Sequence, residues 1–116
     1  MSAISIYHNP RCSKSRQTLA LLEQQGIEAN IIEYLKTPPS PASLNSIIQQ
    51  LGITPRQLLR KSEAIYKELG LKEDLFTDEQ LVQIMCDNPK LIERPIVINK
   101  GKAKIGRPPE SILEIL

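Results

Sequence analysis

The chain has 116 residues, a length that suits one domain, and 41% hydrophobic content, enough for a real core; its aromatic content is only 3%, so that core must be aliphatic. A formal net charge of +2 is too small to argue for nucleic acid or a membrane surface, and no charged start leads into a long apolar run, so a cytoplasmic protein with no membrane association is expected. Two cysteines and one histidine exclude a disulfide framework and the usual Cys/His zinc spacings, so no metal is expected. In chain order, Ala3 to Tyr7 alternates as a strand does. Ser13 to Gln25 reads as a helix with Leu19, Leu22, Ser15 and Ala20 on one face and Gly26 as its stop. Ile27 to Leu35 reads as a second strand, with Ile31, Ile32 and Tyr34 available to pack. Strand, helix and strand in quick succession predict a parallel pair with a right-handed crossover.

The middle of the chain, about 40–88, reads as helical. Ser40 and Pro41 form a helix start, with Leu44, Ile47, Ile48 and Leu51 at helical spacing and Gly52 closing. Thr54-Pro55 starts a short helix through Arg60, and Ser62 to Leu69 is another. Thr77 with Gln80 makes a capping box before Leu81, Ile84 and Met85. Strand character returns at Pro95 to Ile98, Lys100-Gly101 turns, and Lys102 to Ile105 pairs back as a hairpin. Pro108 to Leu116 reads as a last helix with Ile112, Leu113 and Leu116 facing inward. The expected organisation is a single domain over 1–116 with a helical insert.

The stretch YHNPRCSKSR, Tyr7 to Arg16, sets Cys12 where the first helix begins. Strand-helix-strand followed by a hairpin and a helix is the thioredoxin-like plan, an α/β fold whose mixed sheet is flanked by helices, with the insert between its βαβ and ββα halves. Free N–H groups and the positive dipole end at a helix start stabilise a thiolate and can cradle an oxyanion. That favours a nucleophile over the small buried hydrophobe that a free cysteine commonly is. A dithiol redox site needs a cysteine three residues on, where Ser15 stands, and a tyrosine-phosphatase-like loop needs an arginine six on, where Thr18 stands.

YHNPRCSKSR, LLRK, ERPIV and IGRPPE, in this order and spacing, resemble the arsenate reductase family that works with glutathione and glutaredoxin. The PRCSKSR form is closest to a shorter, less characterised branch of that family. The resemblance implies that Cys12 and His8 are catalytic, Cys12 as the nucleophile with His8 beside it; without the resemblance His8 reads equally well as a strand-end histidine with no role. It implies that Arg60, Arg94 and Arg107 hold arsenate or a similar oxyanion through planar, always-charged guanidinium groups. Ser15, Arg16 and Pro95 support the site, with a cis peptide at Arg94-Pro95. No cofactor is expected to be bound; glutathione is the co-substrate, glutaredoxin the partner, and the protein a monomer. Without the resemblance, Arg60 reads as a solvated residue at a helix end, and Arg94 and Arg107 read equally well as surface loop residues. Cys86, next to Met85 on a helix, reads as structural. Arg11, Lys14 and Arg16 read as solvated residues that raise the potential felt by an anion. Two other functions fit the fold: a glutathione-dependent thiol oxidoreductase without a metalloid substrate, and a redox-type regulator of RNA polymerase. Ser15 in place of a second cysteine argues against the latter.

Overall fold

The structure, a computed structural model, describes residues 4–73 and 75–116. Ala3, expected to open the first strand, lies outside the described residues. The chain divides into two compact units, one of Met1–Thr37 with Arg94–Leu116 and one of Pro38–Glu93.

The first unit is built on a four-stranded mixed sheet in the order β2-β1-β3-β4. β1 (Ile4–Tyr7) pairs parallel with β2 (Asn30–Ile32), and antiparallel with β3 (Ile96–Asn99), which pairs antiparallel with β4 (Lys102–Ile105). Ile6 stands opposite Val97 and Tyr7 opposite Ile96. The Lys100-Gly101 turn takes φ of +49° and +82°, the positive pair that a two-residue hairpin requires. Helix α1 (Ser13–Gln24) connects β1 to β2 and buries Leu22 against Ile6, Val97 and Ile112, with Leu19 at the margin. Gly26 at φ +74° ends α1 in a Schellman motif: its N–H reaches the Glu23 carbonyl and that of Ile27 reaches Leu22.

Three expectations for this unit need correction. The second strand is only Asn30–Ile32, because the chain turns at Glu33, whose carbonyl accepts from the Lys36 and Thr37 N–H groups. The last helix is a 3₁₀ helix, Pro109–Ile115. With three residues per turn it buries Pro109 and Ile112 but leaves Leu113 and Leu116 exposed. On α1, Thr18 is buried and Ala20 exposed, the reverse of what an aliphatic face suggests.

The second unit holds α2 (Pro41–Leu51), α3 (Pro55–Leu58), α4 (Ala64–Glu68) and α5 (Asp78–Asp87), then a 3₁₀ turn at Pro89–Leu91. Its buried residues include Leu44, Ile47, Leu58, Leu81, Met85 and Leu91, and the capping box of Thr77 and Gln80 opens α5 as expected. Helices α3 and α4 are shorter than the sequence suggests. Helix α3 stops at Leu58 because Leu59 turns extended, at ψ 136°, and bridges to Ile92. Arg60 therefore follows a two-residue antiparallel pairing, in which its N–H donates to the Leu91 carbonyl and that of Glu93 to Leu58. It does not cap a helix. No helix of the described residues is long and apolar enough to cross a membrane.

Candidate active site

Cys12 is the N-cap of α1, with extended backbone at φ −93° and ψ 123°, and its side chain makes no capping hydrogen bond. The residue is 7% exposed. As the N-cap it stands at the helix-start N–H groups that no earlier turn can satisfy. The preceding loop is fixed from within. The Cys12 N–H donates to the Asn9 carbonyl at 3.0 Å, the Arg11 N–H to Asn9 Oδ1 at 3.0 Å, and Arg16 NH1 to the Pro10 carbonyl at 2.9 Å.

Arg107 meets Cys12 from the far end of the chain. Its NH2 is 3.8 Å from Cys12 Sγ while its Nε donates to the Arg94 carbonyl at 2.8 Å. One planar group thus spans the backbone of Arg94 and the thiol of Cys12. Arg94 itself is half-buried, and both the Arg94-Pro95 and Arg107-Pro108 peptides are cis; the second was not foreseen. Gly106, directly before Arg107, was also missed. Its N–H donates to the Pro95 carbonyl, and a Cβ placed there would lie 2.5 Å from Thr18 Oγ1 and 2.8 Å from Pro95 Cγ. Only a residue without a side chain lets β4 run on to Arg107 this close to α1 and Pro95.

His8 and Ser15 form a buried pair beneath the loop, 6% and 0% exposed. Ser15 Oγ lies 2.7 Å from His8 Nδ1 and accepts the Asn9 N–H at 3.0 Å. In the neutral imidazole either the Ser15 hydroxyl donates to Nδ1 or Nδ1–H donates to the hydroxyl. Burial pushes the His8 pKa below the ordinary imidazole value; Glu33 opposes this and Arg16 adds to it. Ser15, at the place of a resolving cysteine, thus ties strand end, loop and helix together.

Arg60 belongs to the helical unit. There its NH1 pairs with Glu63 Oε2 at 3.1 Å and its Nε approaches Glu93 Oε1 at 3.7 Å, with 19% of its side chain exposed. It is not solvated, as the residues alone suggest, but held by two carboxylates. Cys86 is half-buried on α5, and burial, with Asp87 adding to it, pushes its thiol up. Both cysteines are free. Among the described residues, no group of three or more His, Cys, Asp or Glu could hold a metal ion.

The ArsC family model matches residues 7–115. The chain is 53% identical over 114 residues to the uncharacterized protein YfgD of Escherichia coli K12, covering 97% of this chain and 96% of that one. It is 46% identical over 117 residues to an arsenate reductase of Neisseria meningitidis serogroup B, covering all of both chains. The structure of an arsenate reductase from Vibrio cholerae superposes with a TM-score of 0.95 at 54% identity, covering 97% of each chain. The thioredoxin-like plan expected from the order of elements is the plan of these neighbours. A family match over nearly the whole length, with full-length relatives at about half identity and the same fold, means that this chain belongs to the ArsC family.

Proposed function

We propose that the protein is an arsenate reductase that works through a Cys12 thiolate, with glutathione and glutaredoxin supplying the electrons. The observation that carries this reading is the 3.8 Å approach of the Arg107 guanidinium to Cys12 Sγ at the start of α1. A fixed cation beside the sulfur at a helix start favours a tetrahedral dianion docked there. Full-length relatives that are arsenate reductases supply the identity of that anion. Arg94 and Arg107 hold its oxygens in this reading, and Arg60 is the third arginine of the set. His8, kept neutral, and Ser15 hold the loop in shape.

In the reaction, the Cys12 thiolate attacks As(V), a sulfur–arsenic bond forms, and one protonated oxygen leaves as water or hydroxide. The glutathione thiolate then attacks Cys12 Sγ. A disulfide forms, the sulfur–arsenic bond breaks, and its electron pair stays on arsenic, which departs as arsenite. Glutaredoxin attacks the glutathione sulfur and frees the Cys12 thiolate. With Ser15 at the resolving position, the electrons come from an external thiol in this reading. The protein acts as a monomer in the cytoplasm, where both free thiols stay reduced.

The test is arsenate turnover with glutathione and glutaredoxin. Cys12→Ser abolishes it with circular dichroism unchanged, and Cys86→Ser leaves it within about two-fold of the parent, as surface-proximal changes of small size do. An inactive parent protein, or an active Cys12→Ser variant, contradicts the proposal.

A further inference from the structure

A cavity of about 210 Å³ opens between the loop residues His8 to Arg11 and the turn after β2, where Glu33, Leu35 and Lys36 complete its wall. Arg11 and Lys36 place two cations at it and Glu33 one anion, over the apolar surface of Leu35. The Lys36–Glu33 ion pair is loose, 3.5 Å long with the lysine 79% exposed, so both groups can exchange it for a ligand at little cost. The cavity wall runs along the chain up to the residue before the candidate nucleophile. Asn9, in that wall, accepts the Cys12 N–H, and Arg11 directly precedes Cys12, about 3.8 Å away between Cα atoms.

We propose that this cavity seats the thiol co-substrate, a small acidic peptide thiol with two carboxylates and one ammonium, as in glutathione. Arg11 and Lys36 take the carboxylates, Glu33 takes the ammonium, and Leu35 packs against the apolar stem of the peptide. Because the cavity wall ends at Arg11, the residue directly before Cys12, a tripeptide held there is bound next to the loop that carries the thiol. The assignment rests on the reading that an external thiol completes the cycle. It adds where that thiol binds and which of its groups are recognised.

Thiol–disulfide exchange tests this without arsenate. The Cys12 thiolate attacks one sulfur of glutathione disulfide; the Cys12–glutathione disulfide bond forms, the original disulfide breaks, and glutathione thiolate leaves and takes a proton from water. Cys12 is oxidised and one glutathione is reduced. The rate is followed by intact-protein mass for glutathione disulfide and for the neutral bis(2-hydroxyethyl) disulfide. In the double variant Arg11→Ala with Lys36→Ala, exchange with glutathione disulfide slows roughly five-fold, the size expected of two exposed ion pairs, and exchange with the neutral disulfide is unchanged. Lys14→Ala removes a charge two residues from Cys12 outside the cavity and keeps the parent's preference. An equal loss with both disulfides, an equal loss in Lys14→Ala, or no loss overturns the assignment, as does a parent protein that forms no adduct at Cys12. A parent that keeps the charge preference but does not turn over arsenate removes the activity reading and leaves the cavity assignment standing.

Discussion

At the scale of single residues, the candidate site is organised by a few bonds that bridge long sequence separations. Cys12 and Arg107 are ninety-five residues apart and meet at 3.8 Å. Motif reading finds both, because each sits in a distinctive string of residues. It does not find that Arg107 reaches Cys12 while its Nε holds the Arg94 carbonyl, since that follows from the hairpin between β3 and β4. His8 shows what burial adds. A folded-state pKa below the unfolded value means that the unfolded chain takes up the proton first as pH falls. His8 therefore costs no stability above its unfolded value of about 6.5, and stability declines as pH falls through and below it. Urea unfolding of His8→Gln is expected to lose part of the decline between about pH 7 and pH 5 seen in the parent. An unchanged pH slope contradicts the burial argument.

At the scale of elements, agreement between sequence and structure depends on what sets each boundary. Helix α1 ends before Gly26, α2 runs from its Ser40 cap to Gly52, and α5 begins at its Thr77 capping box, as the sequence predicts, because caps and glycine stops are local chemistry. The misses were imposed by tertiary pairing. Helix α3 gives up Leu59 to a bridge with Ile92, and Arg60 is then drawn between Glu63 and Glu93. The i+3 pairing with Glu63 is visible in sequence, but the approach of Glu93 is not. Gly106 was likewise invisible as a requirement, because its neighbours Thr18 and Pro95 are remote in sequence. It makes a firm prediction. Gly106→Ala puts a methyl group against buried Thr18 and the rigid Pro95 ring, so stability falls by about 1–3 kcal/mol, as overpacking does. Thermal or urea unfolding measures that loss, and arsenate turnover falls as well, because the strand leading to Arg107 must shift. A variant with parental stability and turnover would show that the close approach has no consequence.

At the scale of the whole molecule, the order of elements was legible and the chemistry was legible only in part. A strand, a helix and a strand at one end and a hairpin with a 3₁₀ helix at the other build one sheet-based unit, and the helices of 38–93 form their own. That order brings the C-terminal ends of β1 and β4, and with them the N-cap of α1 and Arg107, to the same end of the sheet, which is how one thiol acquires one guanidinium. The central claim is that Cys12 and Arg107 together form an anion-binding thiolate site. Lysine at 107 keeps the charge but cannot both hold the Arg94 carbonyl and reach the sulfur. The most direct test is the protection of Cys12 from iodoacetamide by sulfate, a tetrahedral dianion that stands in for arsenate, in the parent and in Arg107→Lys. Sulfate is expected to protect the parent, and the variant to need roughly ten-fold to a hundred-fold more sulfate for the same protection, the loss of one charge-assisted hydrogen bond of roughly 1.5–3 kcal/mol. Equal protection in a folded Arg107→Lys variant, or no protection in the parent, contradicts the account.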